Sequence, residues 1–269
     1  EMIHHDTIFT NVALTADNEP WWEGRTSGTP VIDWQGKPYD KATAKTPAAH
    51  PNSRFTVSAK QNPAYNHLME HPEGVPISAI LFGGRRREVA PLVYEARDWA
   101  HGVMIGAGMA SETTAAAVGQ VGVVRRDSMA MKPFCGYNFA DYFAHWLSFE
   151  GKVKQLPKVF HVNWFRQDKD GKFLWPGFGD NLRVLSWVID RCEGRAKAHE
   201  TPIGLLPHKE DLDLKGLNLP ESSLHQLLDL DLAAWHTEID QIGQYLEEYG
   251  DRLPAALRAE YQRVKKALG

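Results

Sequence analysis

The sequence lacks most of the features that would fix its class at once. It holds only two cysteines, Cys135 and Cys192, in 269 residues. That is too few for a disulfide framework, so a reducing, cytoplasmic setting is the expectation. No run approaches the ~18 apolar residues of a membrane span, and no charged-then-apolar leader opens the chain, so neither a membrane nor a secretory role is expected. A basic excess is also missing: 30 Lys and Arg stand against 34 Asp and Glu, a net charge of -4. This excludes a general nucleic-acid binder and leaves room for a local basic pocket. There is no Gly-x-x-x-x-Gly-Lys-Ser/Thr phosphate loop, no dinucleotide fingerprint after a strand, no Gly-x-Ser-x-Gly elbow, and no internal repeat.

What remains is a chain of ordinary globular composition, 43% hydrophobic and 24% charged, long enough for one large domain or two smaller ones. The region up to about Gln61 is rich in Thr, Pro, Asp, Asn and Trp, and reads as short strands and loops, with strands over Thr7–Val12 and Val31–Trp34. Ile77–Phe82 is a compact apolar run that ends in Gly83-Gly84, a buried strand meeting a tight turn. Gly102–Ala110, full of small residues, reads as another strand, and Lys158–Trp164 as a third. Gln167–Gly171 is a turn, with Lys172–Trp175 returning as a hairpin. Helices are predicted from an Asn138 cap to Phe149, over Asn181–Cys192, from a Ser222 or Ser223 cap to about Tyr249, and from Pro254 to about Leu268. The order suits an α/β fold: a mixed sheet with helices packed on one side.

Several clusters could carry chemistry. Gly83-Gly84-Arg85-Arg86-Arg87 follows a predicted buried strand, where α/β folds hold ligands. Guanidinium forks suit phosphate or carboxylate, but a solvated basic turn fits the same residues. His50-Pro51-Asn52-Ser53-Arg54-Phe55 places Asn52 and Arg54 on one side of an extended segment, able to hold a carboxylate, or is a turn whose polar side chains bond their own backbone. Trp164, Phe165, Phe173, Trp175 and Phe178 crowd the hairpin and the turn before Asn181, either as a slot for a flat base or as an aromatic core. The small, weakly polar segment Ala110–Gly119 reads equally as a mobile loop closing over a site, a short helix or a surface loop. Asp168-Lys169-Asp170-Gly171 lacks the further ligands of a calcium loop. His4-His5-Asp6 is a weak metal signal, and Glu112, His101, His145 and His161 show no metal-ligand spacing.

Taken together, the segments resemble one family, GTP-dependent phosphoenolpyruvate carboxykinase. The resemblance runs through His50-Pro51-Asn52-Ser53-Arg54, Ile80-Leu81-Phe82-Gly83-Gly84-Arg85-Arg86, Pro91–Ala96, Met131-Lys132-Pro133-Phe134 with Gly136-Tyr137-Asn138, Phe160–Arg166, and Phe173–Asn181. It covers about Asp6 to Leu217, with the remainder matching only as a helical tail. It is a resemblance to the C-terminal half of that enzyme, the preceding half of which carries the phosphate loop and the lysine, histidine and aspartate that hold manganese.

The resemblance implies a lobe of that fold, organised as residues 1–61, a strand-and-loop region joining the N-terminal half; residues 62–217, the nucleotide- and substrate-binding lobe; and residues 218–269, a helical tail. It implies conversion of oxaloacetate and GTP to phosphoenolpyruvate, GDP and carbon dioxide by a monomeric enzyme, with Mn2+, and Mg2+ accompanying the nucleotide, held by ligands outside this chain. The isolated chain is then expected to be inactive. The alternatives are a non-catalytic guanine-nucleotide-binding module and a purely structural lobe. By resemblance, Arg54 bridges substrate and γ-phosphate, Asn52 and Ser53 help hold the small acid, and Arg85 meets the nucleotide phosphates. Phe165 and Phe178 sandwich guanine, Phe173 and Trp164 line the slot, and Asn181 reads the guanine edge with the backbone at Gly179 and Asp180. Thr113, Thr114, Ala115, Ala116, Ala117, Val118 and Gly119 fall in the family's lid. Ala110 departs from an arginine usual in animal members, which leaves the lid's latch open.

Overall fold

A computed structural model describes residues 5–114 and 120–269. The chain divides into two units, residues 1–76 with 113–121, and residues 77–112 with 122–269.

In the first unit, β1 (Ile8–Thr10) does not run on to Val12. Asn11 adopts a left-handed conformation, φ 57°, and turns the chain before β2 (Ala13–Thr15) begins. Asparagine tolerates that conformation better than other side-chain-bearing residues. β2 is the central strand between β3 (Pro20–Trp21) and β4 (Pro30–Ile32). Ala13, Trp21 and Ala48 form a small core there. β1 pairs antiparallel with β5 (Arg54–Thr56), setting Thr10 opposite Arg54.

The second unit is built on a mixed five-stranded sheet. Its strands are β6 (Ala79–Gly83), β7 (Val93–Glu95), β10 (Lys158–Val162), β11 (His199–Thr201) and β12 (Gly204–Leu206), in the order β11-β12-β7-β10-β6. β10 runs parallel to β6 and antiparallel to β7. A separate pair, β8 (Ala110–Glu112) and β9 (Val124–Arg126), lies antiparallel with Ala110 opposite Arg126.

The mixed sheet and α/β class agree with the sequence, but the helices cover both faces of the sheet rather than one. Along β10 the side chains alternate. Val159 joins the core formed with α1 (Trp99–Ala107), α2 (Phe139–Leu147), α5 (Leu232–Glu247) and α6 (Ala255–Leu268). Phe160 and Val162 join the opposite core with α3 (Asn181–Cys192) and α4 (Glu221–Leu228). A strand that is apolar on both faces must be covered on both.

Two further elements differ from expectation. The small-residue stretch around Gly102 is helix α1, capped by Asp98, whose carboxylate accepts from His101 N at 2.8 Å. A Cβ on Gly102 would come within 2.6 Å of Val159, and one on Gly106 within 2.6 Å of Phe82. The glycines are there so that the helix can lie against the sheet. The long C-terminal helix is two, because Asp231 caps a new start, accepting from Ala234 N at 3.0 Å. The α2 cap at Asn138, α3 and the final helix after Pro254 fall where expected. The Gln167–Gly171 turn closes on a single bridge, Gln167 to Phe173, with Asp168 accepting from Asp170 N and Lys172 N. Among the described residues no helix is long and apolar enough to cross a membrane.

Candidate functional site

The loop after β6 carries three arginines to three different fates. It passes so close to β8 that a Cβ on Gly84 would sit 2.2 Å from the Ala110 carbonyl oxygen, a distance only glycine avoids. Arg85 is then pinned through its backbone: its N–H donates to Ser111 Oγ at 3.0 Å, and its carbonyl accepts from Glu112 N at 2.8 Å. Arg87 pairs with the buried Glu112, which accepts from Arg87 N at 2.8 Å and lies 2.8 Å from Arg87 Nε. Arg86 turns inward, 8% exposed, and its guanidinium donates to both carboxylate oxygens of Glu238 on α5, at 2.9 and 2.8 Å. Glu238 also accepts from Arg126 on β9 at 2.7 Å. Burial opposes the charge on Glu238, but hydrogen bonds and charge from Arg86, with those of Arg126, outweigh it and hold its pKa down to about 2.

Arg85 is the arginine left over. Its guanidinium lies 3.9 Å from the centre of the Phe165 ring, a cation–π stack, and no carboxylate pairs with it among the described residues. The stack is held from behind by Asn163, which is fully buried at the end of β10. Asn163 Nδ2 donates to the carbonyls of Arg86 and Ala90, at 2.9 and 3.0 Å. Its Oδ1 accepts from Phe165 N at 3.2 Å and from Arg86 N at 3.4 Å. One side chain thus fixes the arginine loop and the phenylalanine together.

The aromatic segment separates into parts. Phe173 meets Phe165 edge to face, with ring centres 6.2 Å apart. Trp164 is half-buried and packs against the core beneath α3. Trp175 is 1% exposed, and its Nε1 donates to Asn181 Oδ1 at 2.9 Å. Because an indole N–H can only donate, this contact sets the amide orientation. It leaves Asn181 Nδ2 without a partner among the described residues. Phe178 is 96% exposed and makes no ring contact among them. Gly179 is exposed in the same turn, and the Asp180 carboxylate accepts from Arg183 Nε at 3.0 Å. The structure therefore gathers Arg85, Phe165 and Phe173, while Phe178 extends into solvent.

In the first unit, Asn52, Ser53 and Arg54 form their own cluster. Asn52 Oδ1 accepts from Arg54 Nε at 2.9 Å, leaving the two Nη groups of this exposed arginine without a carboxylate among the described residues. The turn that presents them is closed by Ser53 N donating to the His50 carbonyl at 2.8 Å. Asn11, just past β1, anchors it: its carbonyl accepts from His50 N at 3.1 Å, and its Nδ2 donates to the Asn52 carbonyl at 3.3 Å. Of the predicted lid, Ala115, Ala116, Ala117, Val118 and Gly119 lie outside the described residues. Thr113 Oγ1 donates to the Gln120 carbonyl.

Sequence reasoning gave no role to Asn163 or Glu238, and read Ser111 and Glu112 only within the Ala110–Gly119 segment, whose first three residues are strand β8. Glu238 did leave a signal: on α5 it occupies the apolar stripe of Trp235, Ile239 and Ile242, where a carboxylate must find a cation. Among the described residues no group of three or more His, Cys, Asp or Glu side chains could hold a metal ion.

Comparison with known proteins agrees with the sequence resemblance. Residues 1–267 match the family described as phosphoenolpyruvate carboxykinase C-terminal P-loop domain. The chain is 50% identical over 268 residues to the "Phosphoenolpyruvate carboxykinase [GTP]" of Chlamydia muridarum, covering 98% of this chain and 44% of that protein. It is 52% identical over 273 residues to the protein of the same name from Anaeromyxobacter dehalogenans, covering 99% and 46%. The chain spans somewhat under half the length of these relatives.

Proposed function

We propose a function from one premise: the chain belongs to the family of phosphoenolpyruvate carboxykinase C-terminal domains. It acts as the C-terminal part of a cytoplasmic, monomeric enzyme that converts oxaloacetate and GTP to phosphoenolpyruvate, GDP and carbon dioxide. The observation that carries the reading is the Arg85 guanidinium stacked 3.9 Å above Phe165 at the end of β6, with no carboxylate pairing it among the described residues. It is a cation beside an aromatic face, the pair of groups that a nucleotide's phosphate and base require.

The carbon–carbon bond to the leaving carboxylate breaks, its electron pair stays on the enolate, and carbon dioxide departs. The enolate oxygen then attacks the γ-phosphorus and GDP leaves. Negative charge gathers first on the enolate and then on the phosphoryl group, so fixed cations must meet both. Arg54 supplies its two Nη groups to the bridging position, with Asn52 and Ser53 beside it holding the small acid. Arg85 exchanges its stack on Phe165 for the nucleotide phosphates, freeing that ring face for the base. Phe173 backs Phe165, Phe178 closes over the base from the turn before α3, and Trp164 steadies the segment. Asn181 Nδ2, with the backbone at Gly179 and Asp180, donates to the guanine carbonyl, where adenine presents an amino group instead. Thr113 and Thr114 lead into a lid that excludes water from the enolate. Mn2+ and nucleotide-bound Mg2+ serve the complete enzyme. Their ligands would lie outside the described residues, among which no such donor cluster is found.

The test is formation of phosphoenolpyruvate from oxaloacetate and GTP by the full-length enzyme carrying this chain. Product with GTP and little with ATP is expected, and none from the chain alone. A full-length enzyme that prefers ATP, or makes no product, refutes the reading.

A further inference from the structure

The loop that presents Arg85 is held in place by a charge buried far from it in sequence. We infer that Glu238 is a positioning residue for nucleotide binding, acting through Arg86 to hold Arg85. The inference rests on the reading of Arg85 as the phosphate-binding arginine.

Three observations support it. Glu238 meets Arg86 through two hydrogen bonds, and both side chains are buried, at 6% and 8% exposed. Arg86 follows Arg85 directly, and its backbone N–H and carbonyl are both bonded to Asn163, which also holds Phe165 N. The same carboxylate accepts from Arg126 on β9, opposite Ala110 on β8. β8 in turn supplies Ser111 and Glu112 to the Arg85 backbone. Glu238 therefore holds the arginine loop directly and braces the strand pair behind it. Neutralising Glu238 leaves two guanidinium groups facing each other with no counter-charge. Arg86 must then leave for water, and the loop backbone that presents Arg85, one residue away, loses its anchor.

A buried ion pair can also be merely structural, and the second unit contains a matched control. Glu95 on β7 is 3% exposed and likewise bridges two cations, Lys158 at 2.6 Å and Arg191 at 2.5 Å, on the opposite face of the sheet. The test compares Glu238→Gln, Glu95→Gln and Arg85→Ala in the full-length enzyme by melting temperature, kcat, and KM for GTP and for oxaloacetate. Both glutamine variants should lower the melting temperature. Glu238→Gln should also raise the KM for GTP about tenfold or more, with the KM for oxaloacetate within roughly threefold of wild type, whereas Glu95→Gln should leave both near wild type. A GTP KM within about twofold of wild type in Glu238→Gln overturns the proposal, as does an equal rise in Glu95→Gln. Should Glu238→Gln not fold, Glu238→Asp keeps the charge and withdraws it by one methylene. It should raise the KM for GTP by a smaller factor, and no change overturns the proposal. Arg85→Ala separates the two ideas. A raised KM for GTP there with none in Glu238→Gln removes only the positioning role, and no rise in Arg85→Ala removes the reading of Arg85 as well.

Discussion

Arg86 and Glu238 are 152 residues apart in sequence and share two hydrogen bonds of 2.9 and 2.8 Å inside the fold. This bond joins the loop after β6 to a C-terminal helix, so the helical tail is part of what shapes the candidate nucleotide site. The neighbouring Arg85 is left to Phe165, so the same loop sends one arginine into the core and stacks the one before it on an aromatic ring.

Replacing Phe165 should expose the aromatic contribution to nucleotide binding. Stacking of a base on an aromatic ring is worth about 1–3 kcal/mol, so Phe165→Leu should raise the KM for GTP by roughly tenfold. Steady-state kinetics with GTP as the varied substrate checks this. A leucine variant with unaltered KM would place guanine elsewhere.

Arg54 should behave differently from Arg85. Its Nη groups stand beside Asn52 and Ser53 without a carboxylate among the described residues. Arg54→Ala is expected to lower kcat more than it raises the KM for GTP, with a loss of about 1.5–3 kcal/mol for a charged hydrogen bond. Unchanged turnover removes Arg54 from the mechanism.

Gly84→Ala tests the close passage of the loop past β8. The new methyl would stand 2.2 Å from the Ala110 carbonyl oxygen, a backbone atom that cannot swing aside. A cost of about 1–3 kcal/mol is expected, together with weaker GTP binding as the loop shifts. Thermal melting and the KM for GTP report the two effects. A variant as stable as wild type contradicts the packing described.

Two buried histidines should make the fold acid-labile. Burial, reinforced by the nearby Arg86, lowers the pKa of His161 to about 4, and burial with Arg97 lowers that of His101 to about 3. His101 Nδ1 accepts from Arg97 N at 3.2 Å, a bond that only an unprotonated ring nitrogen can make. The unfolded chain takes up these protons near the ordinary value of 6.5, so it binds more protons than the fold below that pH. The stabilisation is complete above 6.5 and is lost as pH falls towards 4 for His161 and 3 for His101, at about 1.4 kcal/mol per pH unit for each. Melting temperature between pH 7.5 and 5 measures it. His161→Phe, which keeps the stack on Tyr94, should flatten the slope, and a flat wild-type profile would contradict this account.

The sequence made the strands and the linear motifs legible, and left the long-range pairings hidden. β6 and β10 show as apolar runs, α2 and α3 as amphipathic repeats, and the arginine loop stands out because glycines precede it. α1 was misread because the feature that marks it, glycine at Gly102 and Gly106, lowers helix propensity and serves only the helix's approach to Val159 and Phe82. The cover on the second face of the sheet was missed because a strand's apolar run does not name its partners. Asn163 and Glu238 act across distances that no local pattern records, although a carboxylate in the apolar stripe of α5 was a visible anomaly. The exposed Phe178 gives no sequence signal that distinguishes it from the buried Trp175 three residues earlier.

The most direct measurement is a structure of the full-length enzyme with GTP bound. The Arg85 guanidinium is expected within about 3 Å of a phosphate oxygen, with guanine against the ring of Phe165 and Asn181 Nδ2 on the guanine carbonyl. Nucleotide bound elsewhere, with Arg85 still stacked on Phe165, would contradict it.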